Sequence, residues 1–227
     1  MTHKDPDKSI DTLLQIMRDL RAPDGCPWDA EQTPESLAPY ILEEACELID
    51  AIEEGDPKQI LDELGDLLLQ VVFQAQIFTE RHLFDFYDVT TCIAEKLLRR
   101  HPHVFARETH NVAVTELDTQ WEKIKSSETT QNKSCLADHL PGKLPALQRA
   151  QKLIARAYKT KRHQELPDYN EISEKLQLLA AHGNDIAIDE ESLGMLLLYL
   201  VRMSHVAGLD AETALRKSTR QLLQKMD

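Results

Sequence analysis

The sequence predicts an all-α protein, and three observations carry that prediction. Only 7 of the 227 residues are Gly, and β-branched runs are few. Leu, Ala, Glu, Gln and Lys dominate, the residues that lose least on entering a helix. Apolar residues also recur at helical spacing, as in Ile10, Leu13, Leu14, Met17 and Leu20. With 42% apolar residues, the chain can bury one large core or two small ones, and its composition is not that of a disordered protein.

The elements follow in order. The first amphipathic helix spans about Ile10 to Leu20. Residues Ala22 to Asp29 hold two prolines and a glycine, so they read as a breaking loop that carries Trp28. Thr33-Pro34-Glu35-Ser36 reads as a helix start, with Thr33 as N-cap and Pro34 at the first helical position. That second helix runs to about Glu54, interrupted or kinked near Pro39, and Gly55-Asp56-Pro57 turns the chain. A third helix covers about Lys58 to Arg81. A fourth covers about Phe86 to Arg100 and is ended by His101-Pro102. A helix around Leu117 to Lys125 closes a first lobe, residues 1–125. Residues 126–145 are rich in Ser, Thr, Asn, Pro and Gly without an apolar period, and read as a linker. Helices at about Leu147 to Lys161, Glu171 to Ala181, Asp189 to Ala207 and Ala211 to Lys225 make a second lobe, residues 146–227.

The net charge of −13 and a pI near 5.1 exclude a non-specific grip on nucleic acid. The longest apolar stretch, Leu193 to Val201, is too short to span a bilayer. Cys26, Cys46, Cys92 and Cys135 form no Cys-x-x-Cys pair, and no signal peptide is evident. These features predict free thiols in a soluble, cytoplasmic protein.

The second half aligns with the first as an internal repeat. Asp62 to Leu69 matches Glu191 to Leu198, and, allowing one gap, Glu44 to Ile49 matches Glu174 to Leu179. The apolar frame persists, but Glu47, Glu63 and Asp66 are replaced by Gln177, Ser192 and Met195. Glu44 and Glu47, and likewise Glu63 and Asp66, lie three apart and so share a helix face. Two such pairs on neighbouring antiparallel helices supply four carboxylates for one or two hard cations, which bind oxygen ligands. A lone Glu-x-x-Glu is usually a solvated surface pair. Here Asp66 is followed by Leu67, Leu68, Leu69, Val71, Val72 and Phe73, so the helix is expected to be buried, where acids need a partner or a metal. Gly65 is expected to let a ligand or a second backbone come close. No Gly-rich phosphate loop or Ser/His/Asp pattern is present, against kinase and acyl-transfer chemistry.

These residues resemble the MazG nucleoside triphosphate pyrophosphohydrolases. The resemblance rests on Glu43-Glu44-Ala45-Cys46-Glu47 followed by Glu63-Leu64-Gly65-Asp66. It also rests on Gly25-Cys26-Pro27-Trp28-Asp29 with Glu31-Gln32-Thr33, on Arg99 to Phe105, and on Trp121-Glu122-Lys123-Ile124-Lys125. It covers residues 10 to 125. It implies an all-α NTP-pyrophosphatase bundle of two tandem repeats, the second degenerate, that assembles as a homodimer. It further implies Mg²⁺-dependent cleavage of an NTP to NMP and pyrophosphate, with Mn²⁺ as the alternative metal.

By the same resemblance, Glu44, Glu47, Glu63 and Asp66 would hold the metal. Lys96, Arg100, Trp121, Lys125 and Trp28 would hold the substrate, and Glu43, Glu44 or Glu47 would take a proton. Taken singly, Lys96 and Arg100 read as helix-surface charges, and Trp28 and Trp121 as packing aromatics. Two rivals stay open: a non-catalytic nucleotide or metal sensor, and a pyrophosphatase narrow for one dNTP.

Overall fold

A computed structural model of the chain describes residues 9–105, 117, 121, 124, 140–166 and 189–226. Among them every regular element is helical and there is no strand. The chain divides into two compact units, Met1–Ser127 and Glu128–Asp227. No single helix among the described residues is long and apolar enough to cross a membrane.

In the first unit, α1 (Ile10–Arg21) is capped by Ser9, whose hydroxyl accepts from the Asp11 N–H at 3.1 Å. It buries Leu14 and Met17, three residues apart on one face. The chain then folds back tightly: the Cys26 N–H donates to the Leu20 carbonyl at 2.7 Å. A Cβ on Gly25 would overlap the carbonyl oxygens of Asp19 and Leu20, so only glycine fits there.

The stretch expected to be a loop contains a short helix, α2 (Pro27–Glu31), and Trp28 sits on it. Pro27 occupies a first-turn position for which its fixed φ is suited. The Arg21 guanidinium steadies this region by donating to the carbonyls of Asp29 and Gln32.

Helix α3 (Pro34–Glu54) starts where its sequence predicts. Thr33 and Ser36 form a reciprocal capping box, with bonds of 3.2 and 2.9 Å. It continues through Pro39 without the predicted interruption. Pro39 lies early in the helix and removes only one N–H, a loss the long packed helix tolerates.

Gly55, at φ +79°, ends α3, and Asp56 caps α4 (Pro57–Glu80) by accepting from the Lys58 N–H at 3.0 Å. So short a turn makes α3 and α4 antiparallel neighbours. Gln74 fixes their register by donating to the Pro34 carbonyl at 3.2 Å. Leu14, Met17, Leu37, Val72, Phe73 and Ile77 form the core, backed by Leu13, Leu69 and Phe86. The core therefore occupies the end of the pair where α3 begins and α4 finishes.

Asp85 and Asp88 form a second capping box on α5 (Phe86–Arg100), and α6 (Pro102–Phe105) follows His101. Leu117, Trp121 and Ile124 are helical, as predicted for that segment. Lys125 and residues 126–139 of the predicted linker lie outside the described residues.

In the second unit, α7 (Ala146–Lys159), a short 3₁₀ turn (His163–Glu165), α8 (Glu190–Val206) and α9 (Ala211–Met226) are described. Among the described residues of this unit, Ile154, Ala157, Tyr199 and Val201 are buried. Gln151 joins α7 to the start of α9, donating to the Leu209 carbonyl and accepting from the Ala211 N–H. The helix predicted at Glu171 to Ala181, with Glu174 and Gln177, lies outside the described residues.

Candidate metal and substrate site

The α3–α4 register that packs the core also decides where the acids go. With Gln74 opposite Pro34, an antiparallel pairing brings the middle of α3 against the first turns of α4. Glu44 thereby falls between Glu63 and Asp66. One carboxylate oxygen from each of these three lies within 4.8 Å of the other two.

Glu44 and Glu63 are half-buried, while Asp66 and Glu47 are exposed. Glu47 is outside that tight set but close enough to act on it electrostatically. The Glu44 carboxyl is pushed above the ordinary carboxylate range, first by desolvation and then by Asp66, Glu47, Glu63 and Glu43. Glu63 is pushed up by desolvation, then by Glu47, Asp66 and Asp62. Crowded like charges favour protonation unless a cation shares them. An all-oxygen donor set of this kind suits a hard divalent cation. Among the described residues this is the one such group, and none lies in the second unit.

The acids do not sit on a buried helix, contrary to the expectation from the apolar run. Leu61, Leu64, Leu68 and Val71 are 69, 50, 39 and 41% exposed. Burial in α4 is confined to Gln70, Val72, Phe73, Ala75 and Ile77. The reason is geometric: α4 is apolar on more faces than the described helices of the first unit cover. Nor is Gly65 closely approached, since a Cβ there would meet nothing within 4 Å.

The predicted substrate residues divide into separate groups. Trp28, 53% exposed, meets Tyr40 edge-on at 6.4 Å, and Tyr40 lies one turn before Glu44. Arg100 lies over the Trp121 ring at 5.3 Å, and His101 meets the same ring at 5.1 Å. Lys96 is half-buried at the edge of a cavity of about 450 Å³ lined also by Phe84, Asp88, Val89, Cys92 and Ile93. Among the described residues, every charge that shifts Glu44 or Glu63 is another carboxylate. Lys96 and Arg100 are therefore not among the charges that shift Glu44 and Glu63. Glu43 is exposed beside Glu44 and adds to its repulsion.

Comparison with known proteins bears on the same residues. Residues 32–105, which hold all four acids, match the family described as the MazG nucleotide pyrophosphohydrolase domain. A nucleoside triphosphate pyrophosphohydrolase/pyrophosphatase MazG from Thermotoga maritima is 40% identical over 218 residues, 95% of this chain and 83% of that relative. The chain belongs to the MazG family. A nucleoside triphosphate pyrophosphohydrolase from Escherichia coli K12 is 42% identical over 217 residues, 92% of this chain and 82% of its own. Among solved structures, a mazG-related protein from Thermotoga maritima aligns at 25% identity with a TM-score of 0.44, covering 52% of this chain and 99% of that one.

One residue in the MazG site region escaped the sequence pattern. Gln70 interrupts the run Leu67-Leu68-Leu69-Gln70-Val71-Val72-Phe73, yet it is only 7% exposed. A single polar side chain between two apolar stretches was the available signal.

Proposed function

We propose that this protein hydrolyses nucleoside triphosphates to nucleoside monophosphate and pyrophosphate, with Mg²⁺ or Mn²⁺ held by Glu44, Glu63 and Asp66 and completed by Glu47. The observation that carries the reading is the carboxylate triad within 4.8 Å, in a chain that is 40% identical to a named pyrophosphohydrolase. Acids crowded this closely in half-exposed positions destabilise the fold unless they serve a cation. A divalent ion bound there supplies charge neutralisation for the triphosphate and a water of lowered pKa. Glu43, adjacent to the triad, is suited to take a proton or to orient a ligand carboxylate.

Lys96, Arg100, Trp121, Lys125 and Trp28 are read as the residues that hold the substrate's phosphates and base. Arg100 and Trp121 already support one another as a cation–π pair. The exposed stripe Leu61, Leu64 and Leu68 supports a homodimer formed through α4, since stripes of this kind mark association surfaces. Residues 1–125 are read as the catalytic lobe and 146–227 as a degenerate repeat joined by 126–145. In that repeat Ser192 and Met195 stand where Glu63 and Asp66 stand in the first.

The test is a panel of NTPs and dNTPs incubated with Mg²⁺, with products separated by chromatography. Equimolar NMP and pyrophosphate are expected, with no turnover in chelator. Release of orthophosphate and NDP, or no product from any nucleotide, would overturn the reading.

A further inference from the structure

The cavity beside the triad contains a polar group that the packing of the first unit does not use. Gln70 is 7% exposed, and among the described residues its Oε1 has no hydrogen-bond partner. It lines a cavity of about 260 Å³ whose other walls include Ile41, Leu67, Val71, Phe78 and Phe84. Phe78 and Phe84 stack on each other at 4.6 Å and 19°, making a flat aromatic wall. The second amide lining this cavity, Gln74, already donates to the Pro34 carbonyl. Among the described residues lining the cavity, the Gln70 Oε1 is the buried amide oxygen that lacks a donor. A buried carbonyl without a donor costs free energy, so its persistence in an apolar slot marks a place for a partner that brings a hydrogen-bond donor.

The register links this slot to the acids. Gln70 follows Asp66 by four residues and Leu67 follows Glu63 by four, one turn or about 6 Å along the same face. On α3, Ile41 precedes Glu44 by three. A substrate with its phosphates at the triad thus has its nucleoside end beside the slot. Apolar walls with one convergent polar group are the usual make-up of a small-ligand site.

We propose that Gln70 reads the nucleobase, its Oε1 accepting an N–H from the base edge while Phe84, Val71 and Leu67 enclose the ring. This assignment rests on the pyrophosphohydrolase reading for the identity of the ligand. A purely apolar ligand would leave the carbonyl unsatisfied, and among the described residues lining the slot none carries a positive charge to hold a bare phosphate.

The experiment compares wild type with Gln70→Met, a substitution of similar volume that removes the acceptor, using a base-bearing NTP and ribose 5-triphosphate, which has no base. The ratio of kcat/KM between the two substrates should fall roughly tenfold in the variant, the scale of one lost buried hydrogen bond. Calorimetric binding of NMP against ribose 5-phosphate should show the same fall. Thermal melting checks folding, and Gln70→Leu serves if Gln70→Met does not fold. An unchanged ratio, with all substrates weakened equally, means that Gln70 is structural or holds a water, and overturns the proposal alone. No turnover of any NTP, with Gln70-dependent NMP binding retained, overturns the enzymatic reading and leaves the base slot standing. Wild type that binds no nucleotide overturns both.

Discussion

Asp66→Asn separates the two opposite effects that the carboxylate cluster has on this protein. Asp66 is a member of the triad and a repulsive neighbour of both Glu44 and Glu63. Two unit charges at the 4.8 Å limit within which these oxygens lie repel by about 0.9 kcal/mol at a water-like dielectric, the appropriate end of the range for half-exposed groups. Screening at physiological salt reduces this to about 0.5 kcal/mol for the Glu44–Asp66 pair. Metal-free Asp66→Asn should therefore be slightly more stable than wild type, melting about 1–2 °C higher. Its Mg²⁺ affinity should instead fall at least about tenfold, because a neutral amide replaces an anionic ligand. Melts in chelator and in saturating Mg²⁺, with a calorimetric Mg²⁺ titration, measure both. The stabilisation given by Mg²⁺ should shrink in the variant. Unchanged Mg²⁺ affinity would refute the ligand role of Asp66, and a lower melting point in chelator would refute its repulsion of Glu44 and Glu63.

Other perturbations test the scaffold around the site. Gly25→Ala should cost about 2–3 kcal/mol in denaturant unfolding, because the new Cβ meets the Asp19 and Leu20 carbonyls, which α1 cannot withdraw. Glu80→Gln should cost about 1 kcal/mol, since the Arg21 guanidinium, 7% exposed, bonds both Glu80 oxygens at 2.8 Å. The Arg21 hydrogen bond holds the Glu80 carboxyl below its ordinary range. Its stabilisation is therefore present above about pH 4.3 and lost as pH falls through the depressed folded value, a loss that acid melts of Glu80→Gln should lack. Leu64→Glu combined with Leu68→Glu should convert a dimer to a monomer in sedimentation runs; a wild type already monomeric at tens of micromolar would remove the dimer reading.

Local chemistry announced most of the helices. Thr33, Asp56, Asp85 and Asp189 each sit where a helix begins and accept a backbone N–H there. Gly55 stops α3 because the chain needs a positive φ at that residue. Capping and turn signals act over three or four residues, so a linear sequence contains them whole. Pro27–Glu31 was misread because a one-turn helix carries no period, and it is held by Arg21 from another element.

The acids illustrate the division more sharply. Their spacing alone put Glu44 with Glu47 and Glu63 with Asp66, since a helix joins residues three apart whatever surrounds it. That Glu44, Glu63 and Asp66 come within 4.8 Å while Glu47 stays outside depends on the α3–α4 register, which is fixed by core packing near Leu37 and Phe73 and by the Gln74–Pro34 bond. Burial was likewise undecided by pattern: an apolar residue is covered only if a neighbouring surface exists, so Val72 is sealed while Leu64, two turns earlier, is 50% exposed. The partnerships of Arg21 with Glu80 and of Arg100 with Trp121, and the cavity around Gln70, join residues 59, 21 or more positions apart or lie between helices. The sequence by itself determined the helices and the paired acids, because those follow from intervals along one chain. Tertiary structure alone decided which oxygens meet and which carbonyl is left without a donor, because those follow from distances between chain segments.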